Sequence, residues 1–476
     1  MNPTSSIALS ALVIALVACQ SSHGASVEPT NQNAPLVLTV ETGKVIRQGA
    51  DEVLGINVNY LRDADANRSG GRTLRAALQT LGVRWLRYPG GEKSDFVQWA
   101  APPYTAPSPR VLGAYRSIKG ARMDFDQFIA TARAVGAEPY VVVGYDSEKR
   151  TGRKESEWLQ DAVALVRYAN VTKRYGVRYW EIGNENWNHN TFRPGEIARV
   201  TAAFSKAMKA VDPDIRIGSS GSDMKWWQGL LPTLSPHIDF LAISLYNTDR
   251  WKNYDHWLKN PDANLTGPAQ VALDAIQRYA QPKDRKRLKL VVAETNSVNW
   301  SKRGWKSTNS LGHSLVTFDT FGRLLHEPRV MAALLWGTRW IKDSESNTSA
   351  FYALGSQNQV LPTGRALAMW GQFLKSEMVR VTGGDRFVTA FASRSGRGDR
   401  LTVWILNRAR TPRTAITIQL NASRKFASAQ CFRWSGDGPD DLSPKWESLG
   451  KIDVTKNRIS LLAIPATSVS VLEFQL

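Results

Sequence analysis

The sequence predicts an α/β protein, with a (β/α)8 barrel of parallel strands followed by an antiparallel β-sandwich. Short apolar runs alternate with amphipathic segments from residue 52 onward, and eight such runs can be counted. After about residue 380 the helical spacing gives way to strand-like alternation. Strands that alternate with helices favour parallel pairing through right-handed crossovers, and eight such units match a barrel.

The barrel prediction depends on the order of the strands and helices. The eight candidate strands lie at 53–60, 83–88, 139–145, 177–182, 215–219, 238–246, 288–293 and 332–336. Segments with 3.6-residue spacing lie between them, at 72–81, 124–135, 155–175 and 195–211. The alternative is a doubly wound open sheet. Such a sheet usually has a glycine-rich phosphate turn after an early strand, and the sequence contains none.

The C-terminal part reads as a series of short strands. They lie at 387–393, 401–407, 415–420, 429–434, 458–464 and 468–474, with turn residues between them. This pattern predicts a small antiparallel sandwich, to which a strand at 36–42 adds. The predicted domains are joining strands at 35–51, the barrel at 52–379 and the sandwich at 380–476.

The N-terminus predicts export. An apolar run at 7–18 has the length of a signal-peptide core and is too short to span a bilayer. It ends in Leu-Val-Ala before Cys19, which resembles the lipobox of bacterial lipoproteins, although no basic residue precedes the run. The resemblance implies a signal peptide at 1–18, lipidation of Cys19, a tether at 19–34 and, because Gln20 follows, outer-membrane sorting. The alternative is an ordinary signal and a secreted or periplasmic protein.

The chain is strongly basic, with a formal net charge of +19. Nucleic acid, an anionic surface and an acidic substrate can all attract such a charge. The basic residues are spread along the chain, and neither a zinc-ligand spacing nor a nucleic-acid motif is found. We therefore expect no nucleic-acid partner, no metal, and membrane contact only through the N-terminal lipid. Cys431, the second of two cysteines, is expected to be a buried, unreactive thiol.

Polar residues follow several candidate strands, at the ends where a parallel barrel places its catalytic groups. They are Asn57, Arg87, Asn184, Glu185, Tyr246 and Glu294. Glu185 follows the fourth strand and Glu294 follows the seventh, so the two carboxyl groups should face each other across one barrel mouth. Paired carboxyls suit cleavage of a glycosidic bond, which needs a proton donor for the departing oxygen and a nucleophile or activated water on the other face of the sugar.

Four short motifs at strand ends have counterparts in known families. Residues 180–185 read WEIGNE, residues 86–91 read LRYPGG, residues 294–297 read ETNS, and residues 465–469 read PATSV before the last strand. Together they resemble clan A of the glycoside hydrolases, which are retaining enzymes on (β/α)8 barrels. The first motif is similar to families 39 and 51, the second to family 51 arabinofuranosidases, and the third to family 79 glucuronidases. The fourth resembles the closing strand of the sandwich in several of these families.

The resemblance implies roles for the residues at the matching positions. Glu185 would be the general acid/base and Glu294 the nucleophile, with Arg87 and Tyr246 beside Glu294. Asn184 would bind the hydroxyl next to the anomeric carbon, and Asn57 is a further candidate for substrate binding. Trp180 and Trp187 would give Glu185 an apolar setting, and four tryptophans after later strands are candidates to stack on sugars: Trp300, Trp305, Trp336 and Trp340. The chemistry requires no cofactor.

Several alternatives stay open at this point. The substrate is an oligo- or polysaccharide that contains either an arabinofuranoside or a uronic acid. Lys93, Arg339 and Lys342 are candidates to meet a carboxylated sugar, with plain surface charge as the alternative. Glu181 is expected to be a structural partner of an arginine such as Arg84 or Arg178. The competing function is a glycan-binding lipoprotein that does not catalyse turnover, and the sequence does not define an oligomeric state.

Overall fold

The computed structural model describes residues 35–188, 191–260, 264–300, 304–340 and 351–476. The predicted signal peptide, the tether with Cys19, and Lys342 lie outside these ranges. Within them, no helix has both the length and the apolar character needed to cross a membrane. The same ranges contain no group of histidine, cysteine, aspartate and glutamate side chains arranged to hold a metal ion.

The strands and helices are numbered in chain order. The strands are β1 (Leu36–Gln48), β2 (Leu54–Asn57), β3 (Trp85–Tyr88), β4 (Val97–Gln98), β5 (Arg110–Val111), β6 (Glu138–Val143), β7 (Tyr179–Ile182), β8 (Arg216–Ser220), β9 (Phe240–Leu245), β10 (Lys289–Thr295), β11 (Val330–Leu335), β12 (Glu377–Thr382), β13 (Val388–Arg394), β14 (Arg400–Asn407), β15 (Arg413–Asn421), β16 (Ser428–Ser435), β17 (Lys445–Asp453), β18 (Arg458–Ile464) and β19 (Ser468–Gln475). The helices are α1 (Leu74–Leu81), α2 (Phe125–Ala134), α3 (Glu148–Thr151), α4 (Glu155–Val166), α5 (Pro194–Val211), α6 (Met224–Leu234), α7 (Asp255–Lys259), α8 (Gly267–Tyr279), α9 (Leu311–Leu325) and α10 (Pro362–Gly371).

Eight parallel strands close into the predicted barrel, in the order β10, β11, β2, β3, β6, β7, β8 and β9. Parallel pairing of β11 with β2 completes the ring, so the barrel is confirmed and the open-sheet alternative is wrong. Side chains alternate between the two faces of each strand. One set fills the interior, including Trp85, Tyr140 and Phe240. The other set packs against the surrounding helices.

The helices begin and end largely where the sequence indicates. Asp124 forms a capping box with Gln127 at the start of α2, which satisfies backbone N–H groups that have no partner within the helix. The predicted helix at 155–175 is shorter than expected. Its α-helical part, α4, ends at Val166 and continues as a π-helical turn over Arg167–Thr172.

The C-terminal strands form a nine-stranded, mostly antiparallel sheet in the order β17, β16, β19, β14, β13, β12, β1, β15 and β18. Its two halves enclose one apolar core, which contains Val403 and Phe474 from one side and Ile418 from the other. β1 pairs antiparallel with β12 and parallel with β15, so the N-terminal strand belongs to this sandwich. Cys431 is buried in it as a free thiol, and burial raises the pKa of that thiol.

Two sandwich strands differ from the sequence expectation. After the barrel, the chain re-enters the sandwich with β12 at Glu377, ahead of residue 380. β17 was not predicted at all. Most of its side chains are exposed, so it lacks the alternation of apolar and polar residues that marks a half-buried strand.

Candidate active site

The turn after β7 carries Glu185 in an unusual backbone conformation. Gly183 has φ 67° and Glu185 has φ 46°, which is the left-handed region that a residue with a side chain rarely adopts. A Cβ atom on Gly183 would lie 2.2 Å from Oδ1 of Asn186, so the turn requires glycine there. Asn186 Nδ2 donates to the Tyr145 carbonyl at 2.8 Å and anchors the turn. Strain of this kind, held in place by its surroundings, is common at functional sites.

Arg87, at the end of β3, organises the middle of the barrel mouth. Its Nη1 donates to Glu294 Oε1 at 2.9 Å and to Asn57 Oδ1 at 3.0 Å. Its Nη2 donates to Glu181 Oε2 and to Asn184 Oδ1, both at 2.8 Å. Burial alone would lower the pKa of Arg87, but Glu181 and Glu294 outweigh burial and raise that pKa above its usual value. One fully buried guanidinium therefore serves two carboxylates and two carboxamides.

Glu294 lies near the end of β10 and is almost fully buried, at 4% exposure. Besides Arg87, it accepts a hydrogen bond from the Tyr246 hydroxyl at 2.7 Å. Burial, followed by the charge of Glu294, raises the pKa of Tyr246 well above its usual value, so the phenol keeps its proton and remains a donor. A cation and a hydrogen-bond donor on the same carboxyl group stabilise its negative charge.

The environment of Glu185 favours the neutral, protonated form of its carboxyl group. Burial, with a further contribution from the charge of Glu294, raises the pKa of Glu185 to about 8, and a hydrogen bond with the Ser244 side chain opposes this shift only in part. Asn188 Nδ2 lies 3.5 Å from Glu185 Oε2. At neutral pH this carboxyl group therefore holds its proton while Glu294 faces a guanidinium. A pair of carboxyl groups with different environments can divide the roles of acid and nucleophile.

The side-chain amides of Asn57 and Asn184 both contact Arg87 but differ in their other hydrogen bonds. Asn57 donates through Nδ2 to the carbonyls of Ala293 and Leu335, at 2.7 and 3.3 Å, and accepts from Arg87 through Oδ1. Its carboxamide thus holds Arg87 between β10 and β11, and the sugar contact of Asn57 stays a prediction. Asn184 accepts from Arg87 through Oδ1, which turns its Nδ2 away from the guanidinium.

Glu181 has a partner that differs from the expectation. The sequence pointed to Arg84 or Arg178, whereas the structure pairs Glu181 with Arg87 at 2.8 Å. Tyr140 also donates to Glu181 Oε2, at 2.5 Å. The reason is the alternation of side chains along β3. The side chain of Arg87 points into the barrel, as does that of Glu181. Arg84 lies just before β3, at a position whose side chain belongs to the outer face of the strand.

A second group of contacts links the loop after β3 to the end of β11. A Cβ atom on Gly91 would lie 2.2 Å from the Trp336 ring and 3.1 Å from Glu294 Oε1, so glycine allows the loop to approach both. Two residues further on, Lys93 is buried, at 1% exposure, with its Nζ 4.5 Å from the ring centre of Trp336 and 4.6 Å from that of Trp340. The reading of Lys93 as surface charge is therefore wrong.

Trp300 is the exposed tryptophan of the barrel mouth. It is 51% exposed, and its ring meets that of Tyr246 edge-on at 5.3 Å between centroids and that of Phe351 at 5.4 Å. Because Tyr246 hydrogen-bonds Glu294, Trp300 lies at the rim above the buried carboxylate. Trp336 is buried deeper, beside Gly91. The structure thus brings both tryptophans to the mouth.

The remaining tryptophans have other surroundings. Trp180 faces the helix layer, where its ring N–H donates to the Val177 carbonyl at 2.9 Å, so it does not surround Glu185 as expected. Trp187 follows Glu185 and packs, half-buried, against the main core. Trp305 stacks on His313 at 3.7 Å between ring centres and is part of that core.

The role of Arg87 in this hydrogen-bond network can be tested by measuring the free energy of unfolding. Arg87→Met leaves two buried carboxylates without their cation, so we expect a loss of about 3–5 kcal/mol in unfolding free energy. Urea denaturation measures it. The control is Arg178→Met, which removes an exposed ion pair with Glu138 and should cost less than about 1 kcal/mol. Equal losses in the two variants would contradict the central role of Arg87.

A (β/α)8 barrel with two differently tuned glutamates on the ends of its fourth and seventh strands is the arrangement that the sequence motifs associate with clan A of the glycoside hydrolases. Comparisons with known proteins agree with this class. The family model of the alpha-L-arabinofuranosidase 1 domain matches residues 77–262. The resemblance to clan A glycoside hydrolases, with arabinofuranosidases among the families indicated by the motifs, is thereby confirmed, whereas these comparisons do not address the lipoprotein signal.

Individual relatives give the same picture. An intracellular exo-alpha-(1->5)-L-arabinofuranosidase of Streptomyces lividans is 26% identical over 296 residues, which is 54% of this chain and 44% of that protein. A probable alpha-L-arabinofuranosidase C of Aspergillus terreus is 26% identical over 291 residues, or 52% of each chain. This chain spans about half the length of the curated relatives it matches. The solved alpha-L-arabinofuranosidase of Thermotoga maritima shares the fold, with TM-score 0.71, 18% identity, and coverage of 93% of this chain and 100% of that one.

Proposed function

We propose that this protein is a retaining glycoside hydrolase that acts on arabinofuranosides by double displacement. One observation carries the proposal: at a single barrel mouth, Glu185 holds its proton while Glu294 is paired with Arg87 and Tyr246. A binder without turnover would have no use for two carboxyl groups with such different environments. The resemblance to arabinofuranosidases supports the substrate class.

In the first step, the Glu294 carboxylate attacks the anomeric carbon while the glycosidic C–O bond breaks. Glu185 gives its proton to the departing oxygen. In the second step, the Glu185 carboxylate takes a proton from water, and the water oxygen attacks the anomeric carbon and releases Glu294. The configuration is retained because it is inverted twice. Each residue meets the requirement of its role, since a nucleophile must be charged and an acid must hold its proton.

The test is a screen of aryl glycosides and polysaccharides with the purified protein. We expect release from an aryl α-L-arabinofuranoside, and NMR of the first product formed should show the same anomeric configuration as the substrate. Release from glucuronides alone would reassign the substrate to a uronic acid. No release from any glycoside, with glycan affinity retained, would favour the binding protein.

We also propose that the chain is exported and anchored by a lipid on Cys19. The support is the sequence motif before this cysteine alone. Incorporation of labelled palmitate in a bacterial host, and its absence in Cys19→Ser, is the expected result. Equal labelling of both proteins would refute the anchor.

A further inference from the structure

Lys93 is a buried cation that the proposed double displacement does not use. It lies in the 3-10 turn Gly91–Phe96, directly after the glycines that let this loop approach Glu294 and Trp336. Its ammonium group faces the rings of Trp336 and Trp340, whose centres are 5.7 Å apart. Contact with two rings compensates part of the cost of burying the charge but satisfies none of its three N–H donors.

Among the described residues, no carboxylate or carbonyl group accepts a hydrogen bond from Lys93. The acidic groups that attract it all have other partners. Glu294 is bound by Arg87 at 2.9 Å and Glu92 by Arg150 at 3.1 Å. Asp63 pairs with Arg339 and also accepts from the Thr338 hydroxyl at 2.6 Å. Within the described ranges, the three N–H donors of the ammonium group are therefore left without an acceptor.

The local charges indicate what kind of acceptor this is. Arg87 and Lys93 supply two positive charges here. They balance the negative charges of the buried carboxylates of Glu181 and Glu294, so this part of the site has no net charge. A substrate carboxylate would add a third negative charge beside Glu294, and like charges in a buried site repel strongly. A hydroxyl oxygen can accept from the ammonium group without this cost.

We propose that Lys93 is a substrate-binding residue whose ammonium group donates to a hydroxyl oxygen of a neutral sugar held against Glu294 and the Trp336 ring. This inference rests on the proposed function and adds to it a residue that selects the sugar. It also decides between the two substrate classes left open by the sequence, since a uronic acid would bring its own charge to this position.

The test compares Lys93→Met with the wild-type protein on an aryl α-L-arabinofuranoside. Because a hydrogen bond from a charged donor is lost, we expect kcat/KM to fall about 10- to 100-fold. The control is Lys375→Met, a partly buried lysine that pairs with Glu473 of the sandwich strand β19. It should keep the wild-type kcat/KM. Lys93→Gln, which restores a neutral donor, should recover part of the loss and serves if the methionine variant does not fold.

A second readout separates binding from a merely structural role. Burial lowers the pKa of Lys93 to about 8, so its donor charge is lost above that pH. A 2,4-dinitrophenyl arabinofuranoside needs no proton from Glu185, and its kcat/KM should therefore fall above about pH 8 in the wild type but not in Lys93→Met. Melting temperatures show whether the variants are folded.

The outcomes distinguish this inference from the proposed function. Wild-type turnover of the arabinofuranoside with an unchanged kcat/KM in Lys93→Met would overturn the role of Lys93. A loss of kcat/KM that is confined to uronide substrates would overturn the proposal that Lys93 binds a neutral sugar. If the wild type hydrolyses nothing, the proposed function fails, and thermal-shift titration with L-arabinose then decides: stabilisation of the wild type but not of Lys93→Met supports the inference, and any other pattern refutes it.

Discussion

Glu294→Ala is expected to lower kcat on an aryl α-L-arabinofuranoside by on the order of 10⁴- to 10⁶-fold, as deletion of a nucleophile does in other enzymes that form covalent intermediates. The reason is that, among the residues that the structure describes, only Glu294 places a charged oxygen within reach of both Arg87 and Tyr246. Steady-state kinetics with the folded variant measure the loss. Glu447→Ala removes an exposed glutamate from β17 and should have no effect.

Added azide provides a sharper readout for the same variant. The small anion can occupy the space left by the Glu294 side chain and attack the anomeric carbon from the same side. We expect turnover to recover and the product to be a glycosyl azide of inverted configuration, because only one displacement takes place. An azide product of retained configuration would contradict the assignment of Glu294 as nucleophile. So would full activity of Glu294→Ala without azide.

The sequence predicts the fold and the central pair of this site because both follow from local pattern. Alternating strands and helices define the barrel, and the barrel places the ends of parallel strands at one mouth. Glu185 and Glu294 are therefore brought together by topology alone, although they lie far apart in the chain. Arg87 and Tyr246 follow from the same rule, since each lies at or just after a strand end.

The sequence-based predictions are wrong at two kinds of contact. One depends on which face of a strand a residue occupies, and the other on two segments that are distant in the sequence meeting in the fold. Alternation along β3 places Arg87 on the inner face with Trp85, a signal that would have favoured Arg87 over Arg84 as the partner of Glu181. The burial of Lys93 has no such signal. It depends on the loop after β3 meeting the tryptophans at the end of β11, which no local pattern of charge or hydrophobicity encodes.

Glu185→Gln is expected to separate the two steps of the reaction. With a poor leaving group, kcat/KM should fall about 10²- to 10⁴-fold, the usual contribution of a positioned acid. With a 2,4-dinitrophenyl leaving group, kcat/KM should change little, because that oxygen departs without a proton. Its kcat should still fall, since Glu185 also takes the proton from the attacking water. The result should be a burst of dinitrophenol followed by slow turnover.

The pH dependence of kcat/KM shows in which direction the protonation of Glu185 changes activity. The pKa of Glu185 is raised to about 8, so the acid form predominates below pH 8 and is lost above it. For a poor leaving group, wild-type kcat/KM should therefore decline on the alkaline side from about pH 8. The Glu185→Gln profile should lose the part of this decline that comes from Glu185, and Glu196→Gln, on the exposed face of α5, should keep the wild-type profile. A decline unchanged in Glu185→Gln would assign the acid to another group, because glutamine has no proton to lose in this range.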